Sequence, residues 1–210
     1  MRTADDFNRY YAKPDPWGVS RATFRDKVLR RRLTRFIRDK SVLELGCGEG
    51  HLTQAVFHRA RSVIAVDISD VAIARAKLLN VSNTRFETAN LLDISLGGYD
   101  VIVAIECLYY LSHEEQGIFL KRVASEHSGK MLLLSGPIID YQRYFGHRRL
   151  MYQFDALGFT VVKFRNLSVY WHPLIYRVVA NLLKLPLGYT LLDRLPERMI
   201  YQRLYAVRAP

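Results

Sequence analysis

The chain has 210 residues, half of them apolar and 24% charged, with a formal net charge of +11 at pH 7. That apolar share fills a core and excludes a disordered or fibrous chain. Cys47 and Cys107 each lie in an apolar run rather than in a spaced pair, which excludes a disulfide framework and points to a reducing, intracellular setting.

The opening residues, MRTADDFNRYY, carry neither an apolar h-region nor a small-residue cleavage site, so no export or transit signal is expected. The oily stretch from Trp171 to Leu192 is broken by Pro173, Arg177, Asn181, Lys184 and Pro186, which does not suit a spanning helix. The expectation is a cytoplasmic protein, with peripheral contact at the inner membrane face as an option. Charge is unevenly spread. Lys plus Arg against Asp plus Glu is 12 to 5 over residues 1–40, 8 to 11 over 41–135 and 11 to 4 over 136–210. An acidic centre suits a cationic small ligand, and the basic flanks suit an anionic partner or membrane surface, or form a solvated exterior. No aromatic-interleaved basic motif of a nucleic-acid module is present.

In chain order, Ser20 to Lys40 places Phe24, Val28, Leu29, Leu33, Phe36 and Ile37 on helical spacing with arginines opposite, and Ser20 is placed to cap it. Strands are then expected at 41–46, 62–67, 84–89, 99–105 and 130–135. Helices are expected at 50–60, 70–79 and 113–125, the last started by a Ser112/Glu115 capping box. A helical stretch from Asp140 to Leu157 stops at Gly158, and 159–165 and 200–207 read as two closing strands. Such alternation predicts an α/β fold: a seven-stranded, mostly parallel, doubly wound (Rossmann-like) sheet with an N-terminal helix and a helical insertion between the last two strands. One domain is expected over 1–210, with a cap helix at 1–40, a cofactor-binding core at 41–137 and an acceptor-side half at 138–210. The insertion at 171–198, split at Pro186, reads either as extra core packing or as an acceptor lid, dimer face or lipid-touching surface.

The stretch VLELGCGEG, residues 42–50, ends a predicted strand and opens a helix, where α/β sheets bind ligands. A P-loop needs a closing Gly-Lys-Ser/Thr, but His51 and Leu52 follow the glycines. A dinucleotide fingerprint needs a third glycine where His51 stands. What remains is acid-x-Gly-x-Gly-x-Gly, with Glu44, Gly46, Gly48 and Gly50. A carboxylate there repels phosphate and attracts an ammonium or sulfonium. Asp67, ending SVIAVD, stands where a carboxylate accepts bonds from ribose hydroxyls, or else caps its loop as Glu44 would. Asn90, ending the third strand, suits an adenine amino group, with the Leu91 backbone beside a ring nitrogen.

From Val42 to Pro137 these positions resemble the class I S-adenosylmethionine-dependent methyltransferases, which often have Asp where this chain has Asn90. The resemblance implies S-adenosylmethionine as cofactor and the end of the fourth strand, YDVIVAIECLYYL, as the acceptor end, bringing in Glu106, Tyr109 and Tyr110. DPWG at 15–18, ECLYYL and RYFGH at 143–147 together resemble the nodulation protein S (NodS) family, whose members N-methylate a deacetylated chitooligosaccharide. The 171–198 insertion and the basic carboxyl end depart from that family. The resemblance therefore implies a glycan or other small, sugar-containing or lipid-linked acceptor, methylated on an amine or a hydroxyl.

The expected cofactor-binding residues are Glu44, Gly46, Cys47, Gly48, Gly50, Asp67, Ile68, Asn90, Leu91, Glu106 and Trp17, with no metal ligand. The catalytic candidates are His113 and His147, whose ordinary pKa suits a base, and Tyr110 as a positioning group. His113 reads equally as a water-facing helix start and His147 as part of a basic helix face. Trp17 and Tyr11 suit a cover over the cofactor or a packing anchor. Competing readings are an RNA or protein methyltransferase using the basic flanks, although IECLYY replaces the Pro-Pro-Tyr type of strand end, and a non-catalytic adaptor on the same fold. An NAD-linked oxidoreductase is disfavoured by the missing third glycine.

Overall fold

The computed structural model describes residues 3–21, 24–169, 181 and 188–210. Seven strands form one sheet: β1 Ser41–Leu45, β2 Ser62–Asp67, β3 Thr84–Thr88, β4 Val101–Ile105, β5 Met131–Pro137, β6 Thr160–Val169 and β7 Ile200–Arg208, in the order β3-β2-β1-β4-β5-β7-β6. The pairs from β3 to β5 are parallel, whereas β7 runs antiparallel to both β5 and β6. This is the Rossmann-like sheet of the class I methyltransferase fold.

Side-chain alternation explains why β4 reads as the unbroken apolar run VIVAI. Val42, Val101, Val103 and Leu133 face one layer, with Val28, Leu33, Val56 and Ile73, whereas Leu43, Ile102, Ala104, Leu132 and Leu134 face the other, with Phe119, Leu120 and Phe154. Full burial of each Leu or Val stabilises by about 1.5–3 kcal/mol, so both faces hold the sheet. The helices are α1 Ala4–Tyr10, α2 Phe24–Ile37, α3 His51–Val56, α4 Asp70–Lys77, α5 His113–Glu126, α6 His147–Ala156 and α7 Gly188–Arg194. The expected Ser112/Glu115 capping box is present at the start of α5, with reciprocal bonds of 3.2 and 2.7 Å.

Two helix starts differ from the sequence reading. The entry helix begins at Phe24, because the Ser20 hydroxyl is engaged with Asp15 Oδ2 at 2.5 Å, inside a separate 3-10 turn at Val19–Arg21. The stretch expected as helical from Asp140 begins only at His147, since Gly146 at φ +59° turns the chain immediately before it. Its stop is as expected: Gly158 adopts φ +76° and Phe159 N–H bonds the Phe154 carbonyl at 2.8 Å. Helix α1 was not expected; Thr3 and Asp6 make its capping box, and Asn8 Oδ1 accepts from the Ser69 hydroxyl at 2.6 Å, docking α1 on the start of α4.

The two basic flanks meet where α2 packs beside β6. Asp193 of α7 accepts from Arg32 of α2 and Arg165 of β6, each at 2.8 Å, and from the Asn166 N–H at 3.0 Å. Buried Arg203 donates to Asn166 Oδ1 at 2.9 Å and to Glu197 at 3.0 Å. The described end of the insertion is therefore fixed by a charged network. The expected split at Pro186, and most of 171–198, lie outside the described residues. Among the described residues no helix is long and apolar enough to cross a membrane.

Candidate active site

At the carboxyl ends of β1, β2 and β4 lies a cavity of about 730 Å³. One wall begins with the turn after β1, where Gly46, Gly48 and Gly50 adopt φ +70°, +55° and +78°. Those angles suit glycine, and space demands it as well. A Cβ on Gly46 would come within 2.6 Å of Cys107 Cβ, and one on Gly48 within 2.5 Å of the Tyr11 hydroxyl.

The two acids expected at the strand tips both line this cavity. Asp67 accepts the Gly48 N–H at 2.9 Å through Oδ2 and the Ser69 N–H at 3.0 Å through Oδ1. It therefore ties its own loop and keeps a second lone pair on each oxygen for a ligand, so the capping and binding readings are compatible. Burial pushes its carboxyl up, against the pull of those backbone donors. Glu44 is buried and accepts the Thr53 hydroxyl at 2.6 Å. Its carboxyl is pushed up to about 7 by burial first, with the Asp67 charge adding to it. Two acids held out of water and short of counter-charge attract a cationic ligand. Asn90 Oδ1 accepts the Leu92 N–H at 3.0 Å in a local turn, which orients the carbonyl and leaves one lone pair for an amino group.

Of the residues expected from sequence, Glu44, Gly46, Cys47, Gly48, Asp67, Ile68, Asn90, Leu91, Glu106, Trp17 and Tyr110 line the cavity. Gly50 lies behind it, where an added Cβ would press on Leu79 and Phe86. The two imidazoles are not among the lining residues. His113 is exposed with the Arg149 guanidinium against its ring, and His147 bonds the Tyr205 hydroxyl at 2.9 Å in the α6–β7 packing, where burial lowers its pKa. Their sequence positions, next to a strand exit and in a glycine turn, gave no view of these partners.

The N-terminal segment closes one side. Tyr11 is buried, and the Trp17 ring meets it edge-on at 5.0 Å while remaining 45% exposed. DPWG is a turn around Asp15, which accepts from Val19 N–H at 2.6 Å and from the Ser20 hydroxyl; burial works against its charge, but those bonds hold it below the usual carboxylate range. Asp15 N–H in turn donates to Glu49 at 2.7 Å, and Glu49 pairs with Arg75 at 2.5 Å. Asp15, Glu49 and His51 thus bring ligand-type atoms within 4.8 Å of one another, but these oxygens are already bonded, and the trio acts as a clasp between the turn and the glycine loop.

The opposite end was largely missed from sequence. There Arg25, Asp26, Leu29 and Arg30 of α2, Ser168 and Val169 of β6, and Tyr201 and Gln202 of β7 join Glu106, Tyr109 and Tyr110. Phe7, Tyr110, Tyr109 and Tyr144 form a chain of ring contacts at 5.1, 4.8 and 5.6 Å between centroids. The ECLYYL run was the only local signal for this wall.

Residues 42–125 match the family described as Methyltransferase domain. Over that stretch, two fifths of the chain, the residues are those of a methyltransferase domain of the S-adenosylmethionine-dependent class, with the glycine turn and both strand-tip acids inside the matched region. More particularly, the chain is similar to nodulation protein S of Azorhizobium caulinodans, 29% identical over 130 residues, which are 60% of this chain and 61% of that relative. The chain therefore spans less than two thirds of that relative's length. Its fold matches N-methyltransferase NodS of Bradyrhizobium japonicum WM9, solved with S-adenosyl-L-homocysteine, at a TM-score of 0.71 and 17% identity over 100% of both chains. It also matches magnesium protoporphyrin IX methyltransferase of Synechocystis PCC 6803, solved with S-adenosylmethionine, at 0.63 and 18% identity over 100% and 99% of the two chains.

Proposed function

We propose that this protein transfers the methyl group of S-adenosylmethionine to an amine or hydroxyl of a small, sugar-containing or lipid-linked acceptor. The observation that carries the reading is a single cavity lined at one end by Glu44, Asp67 and the glycine turn and at the other by Glu106 and the tyrosines. The residues present suit the cofactor. Asp67 is the group for the ribose hydroxyls, Asn90 and Leu91 for the adenine, Ile68 for packing against the base, and Glu44 for the positive charge of the amino acid portion. When bound, the cofactor supplies an electrophilic methyl on a sulfonium. The chain's share is to hold an acceptor in line and exclude water, and no covalent bond to the protein is needed. Trp17 and Tyr11 cover the cofactor side, and Tyr109 and Tyr110 pack around the acceptor side. The resemblance of DPWG, ECLYYL and RYFGH to the nodulation protein S family, together with the match to that relative, supports such an acceptor.

The test is calorimetry with S-adenosyl-L-homocysteine, followed by labelled methyl transfer from S-adenosylmethionine to a pool of glycans and lipid-linked sugars. Tight binding and incorporation into a small acceptor are expected. Binding without turnover of any acceptor would favour the adaptor reading. No heat with this nucleoside, together with binding of a pyrophosphate compound, would remove the reading.

A further inference from the structure

One charged group at the acceptor end has no partner of its own. Arg25, Asp26, Leu29 and Arg30 of α2 line the cavity at positions i, i+1, i+4 and i+5, two adjacent rows on one helix face, so a single helix delivers two guanidinium groups to the same space. Arg25 is engaged: its Nε and one terminal nitrogen donate to Asp26 Oδ1 at 3.2 and 3.0 Å, and it stands 4.0 Å from Glu106 Oε2. Glu106, at φ +54°, is held by neutral donors, the Ser135 hydroxyl of β5 at Oε1 and the Gln202 amide of β7 at Oε2, each at 2.7 Å. Burial raises its carboxyl against the pull of Arg25, which favours the uncharged form. Arg30 differs. Its Nε is shut off from solvent with no acceptor, and among the described residues no hydrogen bond, ion pair or ring contact engages its side chain. Asp26 stands four residues before it, the spacing of a helical ion pair, yet that carboxylate goes to Arg25. Buried N–H groups are paired in the great majority of cases, so an orphaned one on a cavity wall calls for an acceptor from outside the chain.

We propose that Arg30 binds an oxyanion, a phosphate or a carboxylate, carried by the methyl acceptor, so that this protein takes a negatively charged small molecule rather than a neutral one. The proposal rests on the methyltransferase reading and narrows its acceptor. A guanidinium presents its donors in a planar fork that matches two oxygens of a carboxylate or phosphate. Nε–H forms one side of that fork, and it is the atom that the fold leaves unpaired. The two ends of the cavity then differ in sign. Glu44 and Asp67 repel an anion from the cofactor wall, whereas at α2 the charge of Asp26 is balanced by Arg25 and Arg30 is left in excess. An anchor of this kind fixes where the acceptor lies without taking part in bond making, which is the share of the work left to a protein whose cofactor brings the electrophile. Arg30 is thus a specificity-determining residue.

The test is binding of glucose 1-phosphate, glucuronic acid and glucose to the protein saturated with S-adenosyl-L-homocysteine, measured by calorimetry. At least one of the two anions is expected to bind about tenfold or more tightly than glucose, and the one preferred tells phosphate from carboxylate. Arg30→Gln and Arg30→Met should each abolish the preference, leaving glucose and S-adenosyl-L-homocysteine within about twofold of wild type. Arg38→Gln removes an exposed charge next to the same helix but outside the cavity, and the preference should stay within about twofold of wild type. A merely structural role for Arg30 would move the three sugars together. Cofactor binding by each variant reports that it is folded; were one Arg30 variant to lose it, the other decides. Equal affinities in the wild type, absence of binding to all three sugars included, overturn the proposal. So does a preference that survives without Arg30, or one that falls as far in Arg38→Gln, which would assign it to the general positive charge. Intact cofactor binding with no anion preference defeats only the oxyanion seat, whereas failure to bind S-adenosyl-L-homocysteine defeats the methyltransferase reading beneath it.

Discussion

The two ends of the cavity are built by different means. At the cofactor end, residues within about thirty positions of one another do the shaping: glycines at positive φ and Asp67 taking two backbone N–H groups. At the acceptor end, the groups around Glu106 come from positions 25, 135 and 202, on α2, β5 and β7. The first is a backbone device with few degrees of freedom, suited to a constant ligand. The second is a meeting of side chains that can be exchanged one at a time, suited to a ligand that differs between relatives.

The contrast can be broken most severely through Asp193, which holds α7 to α2 and β6. Asp193→Ala leaves Arg32 and Arg165 without their shared carboxylate, and a loss of roughly 3 kcal/mol is expected in urea unfolding. A loss under about 1 kcal/mol would mean that packing alone positions this half. Next comes Asp67→Ala, which removes the proposed ribose acceptor and frees two loop N–H groups; a fall of about 100-fold in S-adenosyl-L-homocysteine affinity by calorimetry is expected, with labelled transfer falling in step. Affinity within threefold of wild type would show that Asp67 serves its loop only.

A smaller, pH-dependent effect sharpens the description of the cofactor end. Glu44 has its folded pKa raised from 4.5 to about 7, so the folded, unliganded protein holds a proton that the unfolded chain has lost. Its contribution to stability is complete below about pH 4.5 and is lost as pH rises towards 7. Thermal unfolding between those limits should show Tm falling more steeply in wild type than in Glu44→Gln. A cationic ligand favours the ionised form, so affinity should rise about tenfold over the same window in wild type alone; parallel profiles would show that Glu44 does not titrate there. Least affected should be His113→Ala, since that ring lies on the surface under Arg149. Methyl transfer within about twofold of wild type is expected, and a drop of more than tenfold would bring His113 back as a base.

These differences also explain what could be read without coordinates. The glycine turn, the strand-tip acids and Asn90 depend on spacing inside short strand–loop–helix units, so their order along the chain states their geometry. The parallel core was legible for a similar reason, because strands buried on both faces must be apolar throughout. Gln202 and Ser135 sit inside strands that read only as apolar or mixed runs, and nothing local shows that both turn towards Glu106. His147 misled because a histidine between glycine and arginines looks available, whereas the Tyr205 hydroxyl that occupies it comes from 58 positions away. The false cap at Ser20 arose likewise from Asp15, whose turn competes for the same hydroxyl.

Strand β7 lies between β5 and β6 although it follows both in sequence. Without residues 200–208 the facing edges of β5 and β6 have no partner in this topology, since β7 is the strand that pairs with both. The same strand brings Gln202 to Glu106, so the integrity of that end of the cavity is tied to the last strand that joins the two halves of the sheet.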